Sequence, residues 1–124
     1  MQSDAIRIHV TSQYLEQSSI PNAQKYAFSY HVRIENHDTQ AVQLLNRYWL
    51  ITDADGNKSE VQGAGVVGKQ PVIAPGDSYE YSSGAILETP VGSMQGFYEM
   101  QRTDGTRFKA PIPVFSLVVP SLIN

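Results

Sequence analysis

The sequence contains no cysteine, which excludes disulfides, thiolate nucleophiles, zinc ribbons and iron–sulfur ligation and is compatible with a reducing compartment. It also lacks an apolar run near the roughly 18 residues that a membrane-spanning helix requires. Residues 1–4 show neither the basic nor the apolar segment that opens a signal peptide. We therefore expect a cytoplasmic protein with no membrane insertion.

An excess of positive charge is equally absent. The 124-residue chain carries 9 basic and 12 acidic side chains, which gives a net charge of −3 at pH 7. The acidic excess is spread over both halves, so neither half resembles the basic arm of a nucleic-acid-binding protein. The length fits one domain spanning residues 1–124, with one hydrophobic core and no nucleic-acid partner.

Uninterrupted windows for a long helix are scarce, because 9 glycines and 7 prolines are spread along the chain. Apolar and polar residues alternate instead, which is typical of half-buried strands, and the longest alternation covers residues 26–35. Turn residues at 53–57 and 103–106 each include an Asp-Gly pair, which indicates hairpins. The pattern predicts strands at residues 6–11, 26–35, 42–53, 59–62, 78–87, 94–102 and 107–119.

Short antiparallel strands at this spacing predict an all-β sandwich of about seven or eight strands. A short helix before Arg47 competes with the strand at 42–53, where β-branched and aromatic residues favour the strand. Leu44 and Tyr48 are expected on one face of that strand, and Arg47 and Trp49 on the other. Pro111 and Pro113 lack N–H groups, which confines the last strand to an edge, a bulge or a switch between sheets.

The most distinctive motif is the glycine cluster that contains Gly63, Gly65, Gly68 and Lys69. It matches G-x-G-x-x-G, but two prolines within the next seven residues prevent the helix on which dinucleotide binding depends. Two alternatives remain. Successive glycine N–H groups can form an anion-binding concavity beside Lys69. Otherwise, the glycines let a loop cross between sheets or press close to a neighbouring strand.

Metal-binding and catalytic patterns are weak. His9, His31 and His37 fall on different segments without the spacing of a tight zinc site. Glu35, His37 and Asp38 could chelate a divalent ion weakly from a turn, or simply form a solvated loop. No serine lies in the G-x-S-x-G motif of a nucleophile elbow, and no catalytic carboxylate pair is recognisable. We therefore expect neither an enzyme nor a cofactor, and a hydrolase remains only a remote alternative.

Arg47 and Trp49 are the candidate partner-binding residues, because arginine and tryptophan carry disproportionate binding energy at interfaces. Apolar residues occur on both faces of their strand, which indicates either a central strand or a face covered by a partner. Trp49 could equally be a core residue between the sheets. Exposed strand edges also make a homodimer compatible with the sequence.

Long ordered segments of the chain resemble the bacterial ApaG family. The resemblance is carried by LLNRYWLITDADG at residues 44–56 and EVQGAGVVGKQP at 60–71, followed by YSSG at 81–84, LETP at 87–90, GSMQG at 92–96 and IPVF at 112–115. It covers nearly the whole chain. One departure is Tyr48, where many members have histidine, and this weakens any metal role for that position.

The resemblance implies a fibronectin type III-like or immunoglobulin-like sandwich and an indirect link, under the alternative family name CorD, to cobalt resistance and magnesium efflux. Related domains within larger eukaryotic proteins favour recognition of other proteins. The leading hypothesis is therefore a non-catalytic binding module for a protein partner. The alternative is a sensor of phosphate, pyrophosphate, nucleotide or a divalent metal that uses the loop between Gly63 and Gly68.

Overall fold

The computed structural model describes residues 5–120 and confirms the all-β prediction. Two single-turn 3-10 helices, Glu16–Ser18 and Pro21–Ala23, join the first two strands. The described strands are β1 (Ile6–Tyr14), β2 (Tyr26–Asn36), β3 (Val42–Asp53), β4 (Lys58–Ala64), β5 (Val72–Ile73), β6 (Ser78–Leu87), β7 (Val91–Arg102) and β8 (Arg107–Val118).

Two antiparallel sheets form the sandwich. The smaller sheet has the order β1-β2-β6, and the larger has the order β4-β3-β7-β8, with β5 paired to one end of β3. The two sheets confirm the antiparallel sandwich that the sequence predicts, and they agree with the fibronectin type III-like or immunoglobulin-like form that the resemblance implies. Strand β3 is central, since β4 and β7 flank it, which explains why it has apolar residues on both faces.

The core lies between the two sheets and is built from the inward residues of every long strand except β4. In β2, the alternation beginning at Phe28 places Tyr30, Val32 and Ile34 inside. Trp49 lies at the centre, where its ring makes edge-to-face contacts with Tyr30 and Phe115 at centroid separations of 5.4 and 5.8 Å.

Strand β3 has the predicted bounds, but its faces differ from the prediction. The pairing with β7 shifts between Leu44 and Asn46, so one extra residue, Leu45, forms a bulge. Leu44 is consequently fully buried on the same face as Trp49, and not on the face of Tyr48 as expected. Strict alternation failed here because a bulge reverses the face of every residue beyond it.

The turns and prolines follow the sequence-based expectations. Gly56 and Gly105 adopt positive φ values of 85° and 88° in the two hairpins. Strand β8, which contains both prolines, forms the outer edge of the larger sheet, and its pairing with β7 shifts near Gly96. Within residues 5–120 there is no helix long and apolar enough to cross a membrane.

Candidate functional site

The two sides of the sandwich differ. On one side β1 meets β8, and the Ser12 hydroxyl donates to the carbonyl oxygen of Ser116 at 2.8 Å. On the other side lie β4 and β6, the outer strands of their sheets. Two clefts open along this second side, which we call the open side, and both are lined by residues of β3 and β6.

Arg47 lies at the rim of the open side, and glycine makes its position feasible. It is paired directly with Gly63 across β3 and β4. Its guanidinium occupies the space above Gly63, where a Cβ atom would be 2.9 Å from Nη1. Nη1 donates to the carbonyl oxygens of Ala64 at 3.1 Å and Gly65 at 3.0 Å. The side chain is therefore anchored along one edge of its guanidinium.

The other edge of the Arg47 guanidinium is free. Within residues 5–120, Nε and Nη2 donate to no protein acceptor and no carboxylate lies within ion-pair distance of Arg47. Two other arginines contrast with it, because Arg33 contacts Glu35 at 3.0 Å and Arg102 contacts Asp38 at 2.8 Å. Arg47 is thus a half-buried cation without an anionic partner in the described part of the chain.

Arg47 lines a cleft of about 230 Å³ between β3 and β6. We call it the Arg47 cleft. Its remaining lining comes from the aromatic rings of the core, from β6 and from the turn that follows β4, namely Tyr30, Trp49, Val66, Val67, Gly68, Tyr81 and Ser83. None of these residues is acidic. Charge in the lining therefore comes from Arg47 alone.

Two tyrosine hydroxyls reinforce this electrostatic character. The hydroxyls of Tyr81 and Tyr98 contact each other through a short hydrogen bond between the sheets. Burial raises the pKa of both phenols far above the ordinary value, although the bond to Tyr98 partly offsets the rise at Tyr81. A phenol is neutral around pH 7 even at its ordinary pKa of 10, so neither hydroxyl neutralises the charge of Arg47.

The glycine cluster forms a tight hairpin over the Arg47 cleft. Val67 and Gly68 occupy its two central positions with φ values of 47° and 77°. Val66 and Lys69 exchange hydrogen bonds in both directions, at 2.8 and 3.0 Å. Val67 is 64% exposed, and positive φ is unusual for a β-branched residue. Backbone strain of this kind is often found at functional sites.

This geometry gives a structural reason for each of the three glycines that the sequence analysis named as candidate anion-binding residues. Gly63 makes room for Arg47, and Gly68 supplies the positive φ of the hairpin. A Cβ on Gly65 would lie 2.2 Å from the carbonyl oxygen of Lys69. The loop presses close to neighbouring backbone, as one alternative predicted, but it stays with the larger sheet. The crossover to β6 comes later, in the turn around Gly76.

Much of the loop's N–H capacity is already used. The N–H of Gly65 donates to Leu45, and those of Val66 and Lys69 donate to each other's carbonyl oxygens. The Lys69 side chain is exposed and does not line the Arg47 cleft. Anion binding by this loop stays a prediction, and the arrangement brings Arg47, not Lys69, to the cavity.

Trp49 does not present its ring to a partner. It is 2% exposed and packed among core aromatics, so the hypothesis of a surface tryptophan is corrected in favour of the core alternative. The two candidate residues share the inward face of β3, but only Arg47 reaches the rim. The sequence could not separate them, because an inward strand face carries both the core and its solvent-accessible border.

A second concave surface, about 580 Å³, is formed by the outward face of the larger sheet and also includes Arg47 and Gly63. There Tyr48 stacks on Phe97 with a centroid separation of 5.0 Å, and the Lys109 ammonium lies 4.6 Å from the Phe97 ring. Tyr48 also donates to Glu60 at 2.7 Å, and this bond raises the pKa of its phenol. Sequence reasoning missed this cluster, because its members come from four different strands.

The three histidines, which the sequence placed on separate segments, each contact a glutamate of the smaller sheet. His31 lies 2.7 Å from Glu80, and His37 and His9 lie 3.0 and 3.6 Å from Glu35. The predicted weak chelate is not assembled, because Asp38 turns away from His37 toward Arg102. Within residues 5–120 no three acidic or histidine side chains are arranged to hold one metal ion.

Fold and site define a fibronectin type III-like β-sandwich with a cationic cleft at its open side. The ApaG domain model matches residues 16–102. Protein ApaG of Proteus mirabilis is 52% identical and that of Escherichia coli K12 is 54% identical, each over 98% of both chains. The chain belongs to the ApaG family, as the resemblance predicted.

Two solved structures are similar to this chain in both fold and sequence. An X-ray structure from the Northeast Structural Genomics Consortium has a TM-score of 0.92 and 48% identity, covering 97% of this chain and 91% of its own. The crystal structure of an ApaA protein from Bordetella pertussis has a TM-score of 0.90 and 43% identity, covering 93% and 94%.

Proposed function

We propose that this protein is a non-catalytic binding module that docks a protein partner at its open side, with Arg47 as the central contact. One observation carries the proposal. The guanidinium is held by two carbonyl oxygens and faces a cleft, yet it has no anionic partner among residues 5–120. A partner that supplies an acceptor there would complete the hydrogen bonding of Arg47.

The energetics support this role. A partly desolvated guanidinium without a counter-charge is unfavourable, and pairing it recovers part of the desolvation cost. Anchoring by Ala64 and Gly65 also lowers the entropy that Arg47 loses on binding, because the side chain is already ordered. Ordered arginines near aromatic side chains are frequent energetic centres of protein interfaces.

Several more specific hypotheses from the sequence remain predictions. They are the cytoplasmic location, the indirect link to cobalt resistance and magnesium efflux, the homodimer, and the sensor of small anions or divalent metals. Titration calorimetry with pyrophosphate, nucleotides, Mg²⁺ and Co²⁺ tests the sensor directly. A panel of phosphoester and nucleotide substrates tests the absence of catalysis, because turnover above buffer would contradict a non-catalytic role.

Partner capture with matched charge variants tests the proposal. The tagged wild type is cross-linked in its native cells beside Arg47→Gln and Arg33→Gln. The second variant removes the same charge from the outward face of the smaller sheet. We expect a partner, identified by mass spectrometry, whose recovery falls with Arg47→Gln only.

Binding measurements with purified proteins then test whether Arg47 contacts the partner directly. With the purified partner, Arg47→Gln is expected to weaken binding by about tenfold or more, as is typical when a central interface arginine is lost. Circular dichroism and urea unfolding check that both variants remain folded. Equal affinity of wild type and Arg47→Gln for every captured partner would exclude the Arg47 cleft as the docking surface.

A further inference from the structure

We infer that the Arg47 cleft binds the side-chain carboxylate of an aspartate or glutamate carried on an extended segment of the partner. The inference rests on the proposed binding role and specifies what is bound. It follows from the geometry of Arg47, from the composition of the Arg47 cleft and from the exposed strand edges beside it.

The free edge of Arg47 matches a carboxylate. Nε and Nη2 lie on the same edge of the guanidinium and donate in parallel, which is the arrangement that binds both oxygens of a carboxylate. Nη1 is occupied by the carbonyl oxygens of Ala64 and Gly65. Three N–H donors therefore remain, and two of them, one on Nε and one on Nη2, form a pre-oriented pair.

The surroundings favour an anion with an apolar stem. Val67, which is 64% exposed, offers apolar surface to methylene groups, and Ser83 contributes a hydroxyl to the lining. The lining contains no acidic side chain, so no negative charge competes with the incoming carboxylate. A charge-assisted bond in this partly dry setting is about twice as strong as a neutral one.

Size separates this ligand from a nucleotide. The Arg47 cleft holds about 230 Å³, which is less than the roughly 300–1,000 Å³ of ordinary small-molecule sites. It accepts one side chain and not a base, a ribose and phosphates together. A phosphate group would also gain little there, because the lining contains a single cation and the hairpin N–H groups are largely engaged.

The exposed edges explain why the segment is extended. Residues of β6 line the Arg47 cleft, and β4 lies next to Arg47 through its pairing with Gly63; in the described chain each strand is hydrogen-bonded to one neighbouring strand only. Unpaired edge groups can accept an added strand, whose alternate side chains point to the same face. A segment along β4 can thus place one acidic side chain in the Arg47 cleft while Val61, which is 40% exposed, contributes apolar contact.

Defined peptides test the ligand class on the full chain. The probe is a blocked heptapeptide of alternating threonine and valine with a central glutamate. Companion peptides carry glutamine, phosphoserine or lysine at that position, and free glutarate serves as a small carboxylate without a peptide backbone. Binding is followed by NMR through the Arg47 Nε–H signal and the backbone signals of Val67, Gly68 and Ser83.

We expect the glutamate peptide to bind at least about tenfold more tightly than the glutamine peptide and to shift those signals. Arg47→Gln should abolish the preference, and Arg47→Lys should retain only part of it, because lysine keeps the charge without the paired donors. Ser83→Glu, which leaves Arg47 in place, should also abolish binding by putting a carboxylate into the Arg47 cleft. This variant keeps the test valid if Arg47→Gln disturbs the hairpin.

Three results would overturn the inference. They are equal binding of the glutamate and glutamine peptides, preference for phosphoserine, and glutarate binding as tightly as the peptide. If no probe shifts the Arg47 signal while a captured partner still depends on Arg47, the carboxylate class is wrong and the binding module stands. If the glutamate peptide binds but no partner depends on Arg47, the site is confirmed and its proposed role is wrong.

Discussion

Asn36 offers the sharpest test of how the sandwich is held together. It is the buried polar residue of the described chain, with no solvent exposure. Its Nδ2 donates to the carbonyl oxygens of Gln40 and Ile73, each at 2.9 Å, and its Oδ1 accepts from the N–H of Asp38 at 2.8 Å. One side chain thereby fixes the end of β2, the following turn and strand β5.

The expected cost of Asn36→Ala follows from these three bonds. The Ile73 carbonyl is buried beside Asn36 and would lose its side-chain partner without access to water, which costs about 2 kcal/mol. Gln40 and Asp38 are only partly buried, so each of those lost bonds costs about 1 kcal/mol. The total is about 4 kcal/mol, a large share of the usual stability of a domain but not all of it.

Urea unfolding of the wild type, Asn36→Ala and Asn46→Ala measures this difference. Asn46 is a matched control because it also lies on a strand, is exposed and makes one bond, to Glu99 at 2.6 Å. We expect its loss to cost under about 1 kcal/mol. A shifted midpoint with an unchanged slope is read as a stability change. Equal losses for the two variants would refute the central role of Asn36.

Three further predictions concern stability. Trp49→Ala should cost about 3–5 kcal/mol in urea unfolding, and acrylamide should barely quench Trp49 in the folded protein; strong quenching would place the ring at the surface. Gly65→Ala should destabilise more than Gly68→Ala, because both positions have positive φ but only Gly65 also meets the Lys69 carbonyl; equal losses would contradict this contact. Hydrogen bonds from His37 and Arg33 hold the pKa of Glu35 at about 2, below its ordinary 4.5. The stability advantage of the wild type over Glu35→Gln should therefore be complete above pH 4.5 and disappear as the pH falls toward 2, and a constant difference would contradict the depressed pKa.

Local chemistry explains why much of the fold was predictable. The alternation in β2 and the Asp-Gly turn at Gly56 act within a few residues, so their outcome is readable from the sequence. Pro111 and Pro113 restrict β8 to an edge for the same reason, since a missing N–H is a local property.

Features that depend on pairing between distant residues were harder to predict from the sequence. The bulge at Leu45 depends on how β3 aligns with β7, and it reversed the expected face of Leu44. Strand β5 is only two residues long and exists because its partner, Val42, lies beside it. His9 contacts Glu35 and His31 contacts Glu80 because β1, β2 and β6 are neighbours. Each result requires the strand register, which a single sequence does not specify.

The candidate site was predicted in part for the same reason. Arg47 and the glycine cluster were singled out separately, one for its chemistry and the other for its motif. Their connection lies in the direct pairing of Arg47 with Gly63, which are 16 positions apart in the chain. The strand register places Gly63 directly beneath the Arg47 guanidinium. The motif that resembles a nucleotide-binding loop therefore contributes to an arginine site.

This dependence has a consequence for how the site is built. The carbonyl groups that hold Arg47 belong to Ala64 and Gly65, at the entrance to the strained hairpin over the Arg47 cleft. Any movement of that hairpin therefore shifts the anchored edge of the guanidinium, and a ligand on the free edge is coupled to the hairpin through one planar group. The positive φ of Val67 and the orientation of Arg47 are thus parts of one arrangement, which explains why glycine is needed both beneath the arginine and within the turn.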